Sequence, residues 1–331
     1  MGRFESRLAT STDESTLYDI LYEYVIEQDL GEEFTNSQQN FINHFNLGHF
    51  SALLTEVIDE TECKREVIGC TFLSFLYNYI VGRRSFIHCC YVKPAFRDHG
   101  LQHELIKLAR KVSVDKGVRT SVMTVCGKDV TFESALEAEG AINMTTMPSS
   151  PSNYWEMQNH STTPEFSDDD YVIREGTPED LDDVYALCEK LIEFEKVEEF
   201  VSLTKEEFVS DGGVDEALYG TVILEHRRRV DDHEDTVIHD IIGCVHYTKM
   251  YHALKGNTYY LQGLYIEPGH KGKGLGKALV QAALQICKDR NGDGFIFMIM
   301  TENIVSQSLF KSLKGINMTQ SKHNVTTYLL R

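Results

Sequence analysis

The sequence predicts an α/β chain made of two tandem copies of one plan. The 331 residues, 42% hydrophobic and 10% aromatic, suffice for two domains with separate cores. Matching segments recur in the same order in the two halves. Val67-Ile-Gly-Cys70 answers Ile241-Ile-Gly-Cys244, and Cys90-Tyr-Val-Lys-Pro-Ala-Phe-Arg-Asp-His-Gly-Leu-Gln102 answers Leu264-Tyr-Ile-Glu-Pro-Gly-His-Lys-Gly-Lys-Gly-Leu-Gly276. In the second half a β-type run (Tyr259, Tyr260, Leu261, Leu264, Tyr265, Ile266) enters the glycine-rich turn of this segment. A helix follows, with apolar residues at 275, 278, 279, 282, 283 and 286.

The elements follow in order. Leu8-Ala-Thr-Ser-Thr-Asp-Glu14 reads as a strand-to-helix junction, and Ile173-Arg-Glu-Gly-Thr-Pro-Glu-Asp180 repeats it. Thr177 suits an N-cap and Pro178 the first helical position, while Glu179 and Asp180 favour the positive helix end. The helices that follow pair Leu17-Tyr-Asp-Ile20 with Leu181-Asp-Asp-Val184, then Glu32-Glu-Phe34 with Glu198-Glu-Phe200. Each half thus reads as strand, helices, a strand meander, glycine loop, helix, strand, helix, strand. Residues 158–170 are polar, with Pro164 and Asp168-Asp-Asp170, and read as a linker between 1–157 and 171–331.

Composition narrows the function. A formal charge of −19 is a poor basis for nucleic-acid binding and draws small cations to a cleft. No apolar run approaches the ~18 residues of a membrane span, and no hydrophobic signal segment opens the chain. The start formally matches M-G-x-x-x-[ST], but charged Arg3 argues against myristoylation. Eight cysteines without C-x-x-C pairs read as reduced, buried thiols of a cytoplasmic protein, with no metal framework. The charged segment 226–236 reads as an exposed hairpin tip.

Gly272, Gly274 and Gly276 let backbone amides converge on an anion at a helix N-terminus, and Lys271, Lys273 and Lys277 add positive charge. The stretch lacks the P-loop signature and has the wrong spacing for a dinucleotide fingerprint. Lys271-Gly272-Lys273-Gly274-Leu275-Gly276 instead resembles the [QR]-x-x-G-x-[GA] pyrophosphate loop of the GNAT superfamily of N-acetyltransferases. The resemblance implies two GNAT-like domains, each a mixed, mostly antiparallel sheet flanked by helices, with acetyl-CoA as acetyl donor. The first copy is degenerate: Arg97-Asp98-His99-Gly100-Leu101-Gln102 keeps one glycine and sets Asp98 beside the expected pyrophosphate.

Residues 171–331 resemble the spermidine/spermine and thialysine branch of that superfamily. The resemblance is carried by Phe194-Glu-Lys-Val-Glu-Glu-Phe-Val-Ser-Leu-Thr204, Asp211-Gly212, the glycine loop and Asn303-Ile-Val-Ser-Gln-Ser-Leu-Phe-Lys311. It implies that Leu264, Tyr265 and Ile266 hold the acetyl carbonyl and pantetheine arm on a splayed strand. It also implies that amides of Lys271–Lys277 hold the pyrophosphate, and that Asn303 and Ser306 contact the cofactor again. On the substrate side it implies Phe194, Glu195 and Gln262. The implied reaction is direct attack of a small cationic primary amine on the thioester, with no acyl-enzyme.

The chain departs from the branch at its proton-handling positions. Phe310 stands where the branch has its general-acid Tyr, and Gln262-Gly263 where it has a Glu-Asp pair. Tyr247, Tyr251, Tyr259, Tyr260, His246, His252 and His323 are the substitutes to weigh, each with a structural role as its alternative. A non-catalytic acetyl-CoA-binding protein is the rival reading. The two halves are expected to pack on one another, and a homodimer stays open.

Overall fold

The computed structural model describes residues 2–126, 129–146, 153–158, 168–212, 217–231, 234–322 and 325–330. The first half runs β1 (Arg3–Leu8), α1 (Glu14–Glu27), α2 (Gln38–Asn46), β2 (Ser51–Asp59), β3 (Lys64–Asn78), β4 (Gly82–Val92), α3 (Leu101–Asp115), β5 (Thr120–Val125), α4 (Val130–Ala138), β6 (Ile142–Asn143) and β7 (Asn153–Gln158). The second runs β8 (Tyr171–Glu175), α5 (Leu181–Glu195), α6 (Lys205–Asp211), β9 (Gly220–Asp231), β10 (Glu234–His252), β11 (Gly256–Ile266), α7 (Leu275–Asp289), β12 (Gly294–Ile299), α8 (Ile304–Ser312), β13 (Ile316–Asn317) and β14 (Thr326–Leu330).

Two seven-stranded sheets form, in the orders β1-β2-β3-β4-β5-β14-β6 and β13-β7-β12-β11-β10-β9-β8. The β4–β5 and β11–β12 pairs are parallel. All other pairs are antiparallel, as the family resemblance implies. The sheets do not follow the division of the sequence at 158–170. β7 closes the first copy but pairs with β12, and β14 closes the chain but pairs with β5. Each half lends its last strand to the other. The exchange pairs the last strand of each copy within the other copy's sheet and so ties the halves together.

The duplication is also written in side chains. Arg7 forks onto Asp13 with two 2.8 Å bonds and also reaches Glu56. Arg174 forks onto Asp180 at 2.7 and 2.8 Å and reaches Glu225. Both aspartates also accept the amide of a capping threonine, Thr10 or Thr177. The guanidinium above all, with these bonds, holds Asp13 and Asp180 down at about 2.

One face of each sheet is covered by the helix after the loop. Leu101, Leu105 and Ile106 of α3 pack on Ile87 and Met123. Leu275, Leu279 and Ala283 of α7 pack on Leu261 and Phe295. The opposite face carries α1–α2 or α5–α6, and here the halves interpenetrate. Tyr251 and Ala253 lie in the core under α1, and Tyr77 and Tyr79 in the core under α5. The tip of each long hairpin is caught by the other half. Thr35 and Asn36 amides donate to Leu254 O at 3.0 and 3.1 Å, and Ser202 and Leu203 amides donate to Ile80 O at 3.0 and 3.2 Å. Among the described residues no helix is long and apolar enough to cross a membrane.

Candidate active site

β11 pairs with β12 only at Thr258, Tyr259 and Tyr260. Beyond Tyr260 the strands diverge, leaving the Leu261–Ile266 edge unpaired on that side while β10 still pairs with the other. Leu264 is half-buried, and Tyr265 and Ile266 are buried. The strand then turns through Pro268–His270 into the glycine loop and α7.

In that loop Gly272 and Gly274 take φ of +82°, a left-handed conformation that disfavours any Cβ, and each faces open space. Lys271 N donates to Pro268 O. Among the described residues no group accepts the amides of Gly272, Lys273, Gly274, Leu275 or Gly276. Five donors at the positive end of a fifteen-residue helix are therefore left for an anion. The Lys271 ammonium lies 4.9 Å from the Phe194 ring, which is 61% exposed at the end of α5. Lys273 donates to the Tyr171 hydroxyl at 2.6 Å, and Lys277 is exposed.

Two of the expected cofactor contacts satisfy each other. Asn303 caps α8, its Oδ1 accepting the Ser306 amide at 3.0 Å. That leaves the Asn303 amide group and the Ser306 hydroxyl to reach a ligand. Phe310 is buried, 4.1 Å between ring centroids from Phe297.

The substrate-side positions gather against a segment of the first half. Glu195 is half-buried, and its Oε2 accepts the Tyr79 hydroxyl at 2.5 Å. Burial raises the Glu195 carboxyl above its ordinary value, and the Tyr79 bond pulls the other way. Gln262 accepts from Asn78 Nδ2 at 2.9 Å and donates to the carbonyl of Tyr77. Gly263 has φ +64°, and a Cβ there would meet His246 Cδ2 at 2.5 Å and Tyr79 Cδ1 at 3.3 Å. Tyr79 and Asn78 carry no signal in the sequence, because the neighbours that give them meaning lie in the other repeat.

The remaining candidates scatter. Tyr247 bonds Glu175 and Arg290. Tyr259 is in the core with Phe295. Tyr251 stacks on Phe50 in the first half. Buried His252 packs edge-on to His88, 4.8 Å between ring centroids. Tyr260 is buried at the junction of the halves. His246 is buried, its Nε2 3.1 Å from Cys188 Sγ and 3.9 Å from Cys244 Sγ. His323 lies outside the described residues. Cys63 is exposed and Cys126 half-buried, while the other six cysteines are buried.

The first half shows the same divergence, with Gln102 bonded to the open strand. β4 pairs with β5 only at Arg84–Ile87. Gln102 is buried and donates from Nε2 to the carbonyl of Cys90 at 3.3 Å, on the residue that answers Leu264. Arg97 is spent on Val92 O and the Glu27 carboxylate.

The family model described as "Acetyltransferase (GNAT) family" matches the chain twice, over residues 15–133 and 194–315. A thialysine N-epsilon-acetyltransferase of Bos taurus is 22% identical over 151 residues, 46% of this chain and 87% of that protein. A GCN5-related N-acetyltransferase from Sphaerobacter thermophilus superposes with a TM-score of 0.56 at 14% identity, over 98% of this chain and 95% of that one. The glucosamine N-acetyltransferase region of a fungal multi-domain β-N-acetylglucosaminidase superposes with a TM-score of 0.54 at 10% identity, over 99% of this chain and 38% of that one.

Proposed function

The chain belongs to the GNAT acetyltransferase family, and from that premise we propose that its second half transfers the acetyl group of acetyl-CoA to a small cationic primary amine. The observation that carries the reading is the unpaired β11 edge running straight into five free amides at the start of α7. The Lys271 and Lys277 amides bond Pro268 O and Gly274 O, so in this reading the amides of Gly272–Gly276 take the pyrophosphate, and Leu264, Tyr265 and Ile266 take the pantetheine arm and thioester carbonyl. Strand amides aimed at that carbonyl stabilise the charge that develops on its oxygen. Asn303 Nδ2 and the Ser306 hydroxyl add contacts. Phe194, Glu195 and Gln262 face the amine, which attacks the thioester directly. Its orientation against the thioester supplies most of the acceleration. The first half, with Gln102 bonded to its open strand, binds no second acetyl-CoA.

The cationic acceptor is supported by the −19 charge, the Glu195 carboxylate and the thialysine acetyltransferase relative. One observation favours a second reading, a non-catalytic acetyl-CoA-binding protein: Phe310 brings no proton to a departing thiolate. Thiol release from acetyl-CoA in the presence of diamines, lysine analogues and arylalkylamines separates the two. Turnover with a cationic amine supports transfer. CoA binding without turnover on any of them supports the second reading.

A further inference from the structure

The acceptor side of the second half's cleft is not closed by its own repeat. The β3–β4 hairpin of the first half enters it, and three contacts show how closely. Asn78 fixes Gln262 at 2.9 Å. Tyr79 lies against Gly263, within the unpaired edge. The Tyr79 hydroxyl bonds Glu195 at 2.5 Å. In the other direction the second half's hairpin brings Ala253 and Leu254 into the first half, where Gln102 bonds the Cys90 carbonyl of the open strand. The exchange is symmetric in backbone and asymmetric in chemistry.

From this asymmetry we propose that Tyr79 of the first half is a positioning residue for acetyl transfer in the second, aiming the Glu195 carboxylate and setting the pH at which it accepts a proton. The proposal rests on the acetyl-transfer reading and deepens it. The incoming ammonium gives one proton to Glu195, and the freed amine forms the N–C bond as the C–S bond breaks. The sulfur leaves with the electron pair, and the nitrogen's surplus proton passes to it or to solvent. Glu195 then returns its proton to solvent.

Glu195 is suited to this because burial lifts its carboxyl, so it takes a proton more readily than an exposed glutamate. The Tyr79 O–H favours the charged form, keeping the carboxylate ionised and turned toward the cleft. Burial, then the Glu195 charge, holds the Tyr79 hydroxyl well above its ordinary value, so it remains a donor across the working range. The other groups facing the pair are Tyr260 and Gln262 of β11, Arg84 of β4, Cys188 of α5 and His246 of β10. Lys271 sits over the neighbouring Phe194. Removing one hydroxyl leaves all of these in place.

The test is Tyr79→Phe in the full chain. The sign follows from the bond: losing a donor to the charged form raises the Glu195 value. The acid limb of kcat/KM for the amine is therefore expected to move up by about one pH unit. Activity at the foot of that limb falls about tenfold, while the Kd for CoA stays within about twofold. In Glu195→Gln the limb attributed to Glu195 disappears. A carbon NMR titration of the chain labelled at the glutamate δ-carboxyls reads the same shift without turnover. Superimposable pH profiles, or an unmoved Glu195 resonance, overturn the role of Tyr79 while leaving acetyl transfer intact. No thiol release from the unaltered chain with any amine overturns the acetyl-transfer reading itself, and this role with it.

Discussion

Gly274 is the residue on which the proposed cofactor binding is expected to turn most sharply. It has φ +82° at the N-cap of α7, flanked by amides with no acceptor, and a Cβ there would meet open space. Alanine therefore meets only backbone strain. A left-handed L residue costs roughly 1–2 kcal/mol. At 1.4 kcal/mol per tenfold, Gly274→Ala should weaken CoA binding by about 5–30-fold if the strain is borne in the bound loop. Glutamate adds a negative charge in the anion seat. At an effective dielectric of about 20, a carboxylate and a phosphate charge about 4 Å apart repel by ~4 kcal/mol, about 1,000-fold in affinity. Gly274→Glu should thus bring binding below detection. Gly100 is the internal control: it has φ +70° at the matching position of α3, so its glutamate variant carries similar strain. Calorimetry with CoA should show one site per chain, abolished in Gly274→Glu and retained in Gly100→Glu. Two equal sites, or undiminished binding in Gly274→Glu, would refute the reasoning.

Other outcomes follow from the same geometry. Glu195→Gln should raise the KM for a cationic amine while leaving CoA affinity unchanged, and part of the difference should fade at high salt; loss of CoA binding as well would make Glu195 structural. Phe310→Tyr should raise kcat by about 100-fold or more where thiolate departure is limiting, since it restores a proton donor at that position; an unchanged kcat with chemistry limiting means that solvent or another group protonates the thiolate. Asp13 and Asp180 fall from 3.8 to about 2 on folding, so the stability they contribute is present above about pH 4 and is lost as pH falls toward 2. Acid unfolding followed by circular dichroism should be flatter across that window in Asp180→Asn; an identical slope would remove Asp180 from the acid response.

Local patterns in the sequence reached far. The glycine loop, the helix after it and the ordered repeat are all patterns of neighbouring residues, and they led to the fold and to the amides of 272–276. Three things escaped because each depends on residues distant in the chain. The strand exchange of β7 and β14 cannot be read from either repeat, since each strand pairs with a partner in the other copy. Gln102 read as a lost glycine, whereas the structure shows it buried and bonded to the Cys90 carbonyl, beyond the point where β4 and β5 part. Tyr79 lay in an ordinary hairpin tip until the fold set it against Glu195, 116 residues away. Asn303 shows the opposite limit: the pattern marked it for a ligand, and its side-chain oxygen turned out to cap α8.

The central claim, direct transfer of an acetyl group to an amine in the second half, is tested most directly by a single turnover with and without amine. Acetyl-CoA is mixed with excess protein, and free thiol, N-acetylated amine and protein mass are followed together. The expected result is no thiol and no added protein mass without amine. With a cationic amine, thiol and acetylated amine should appear in equal amounts. Acetyl transfer to the protein before amine is added, or no acetylated amine across the panel, would contradict it.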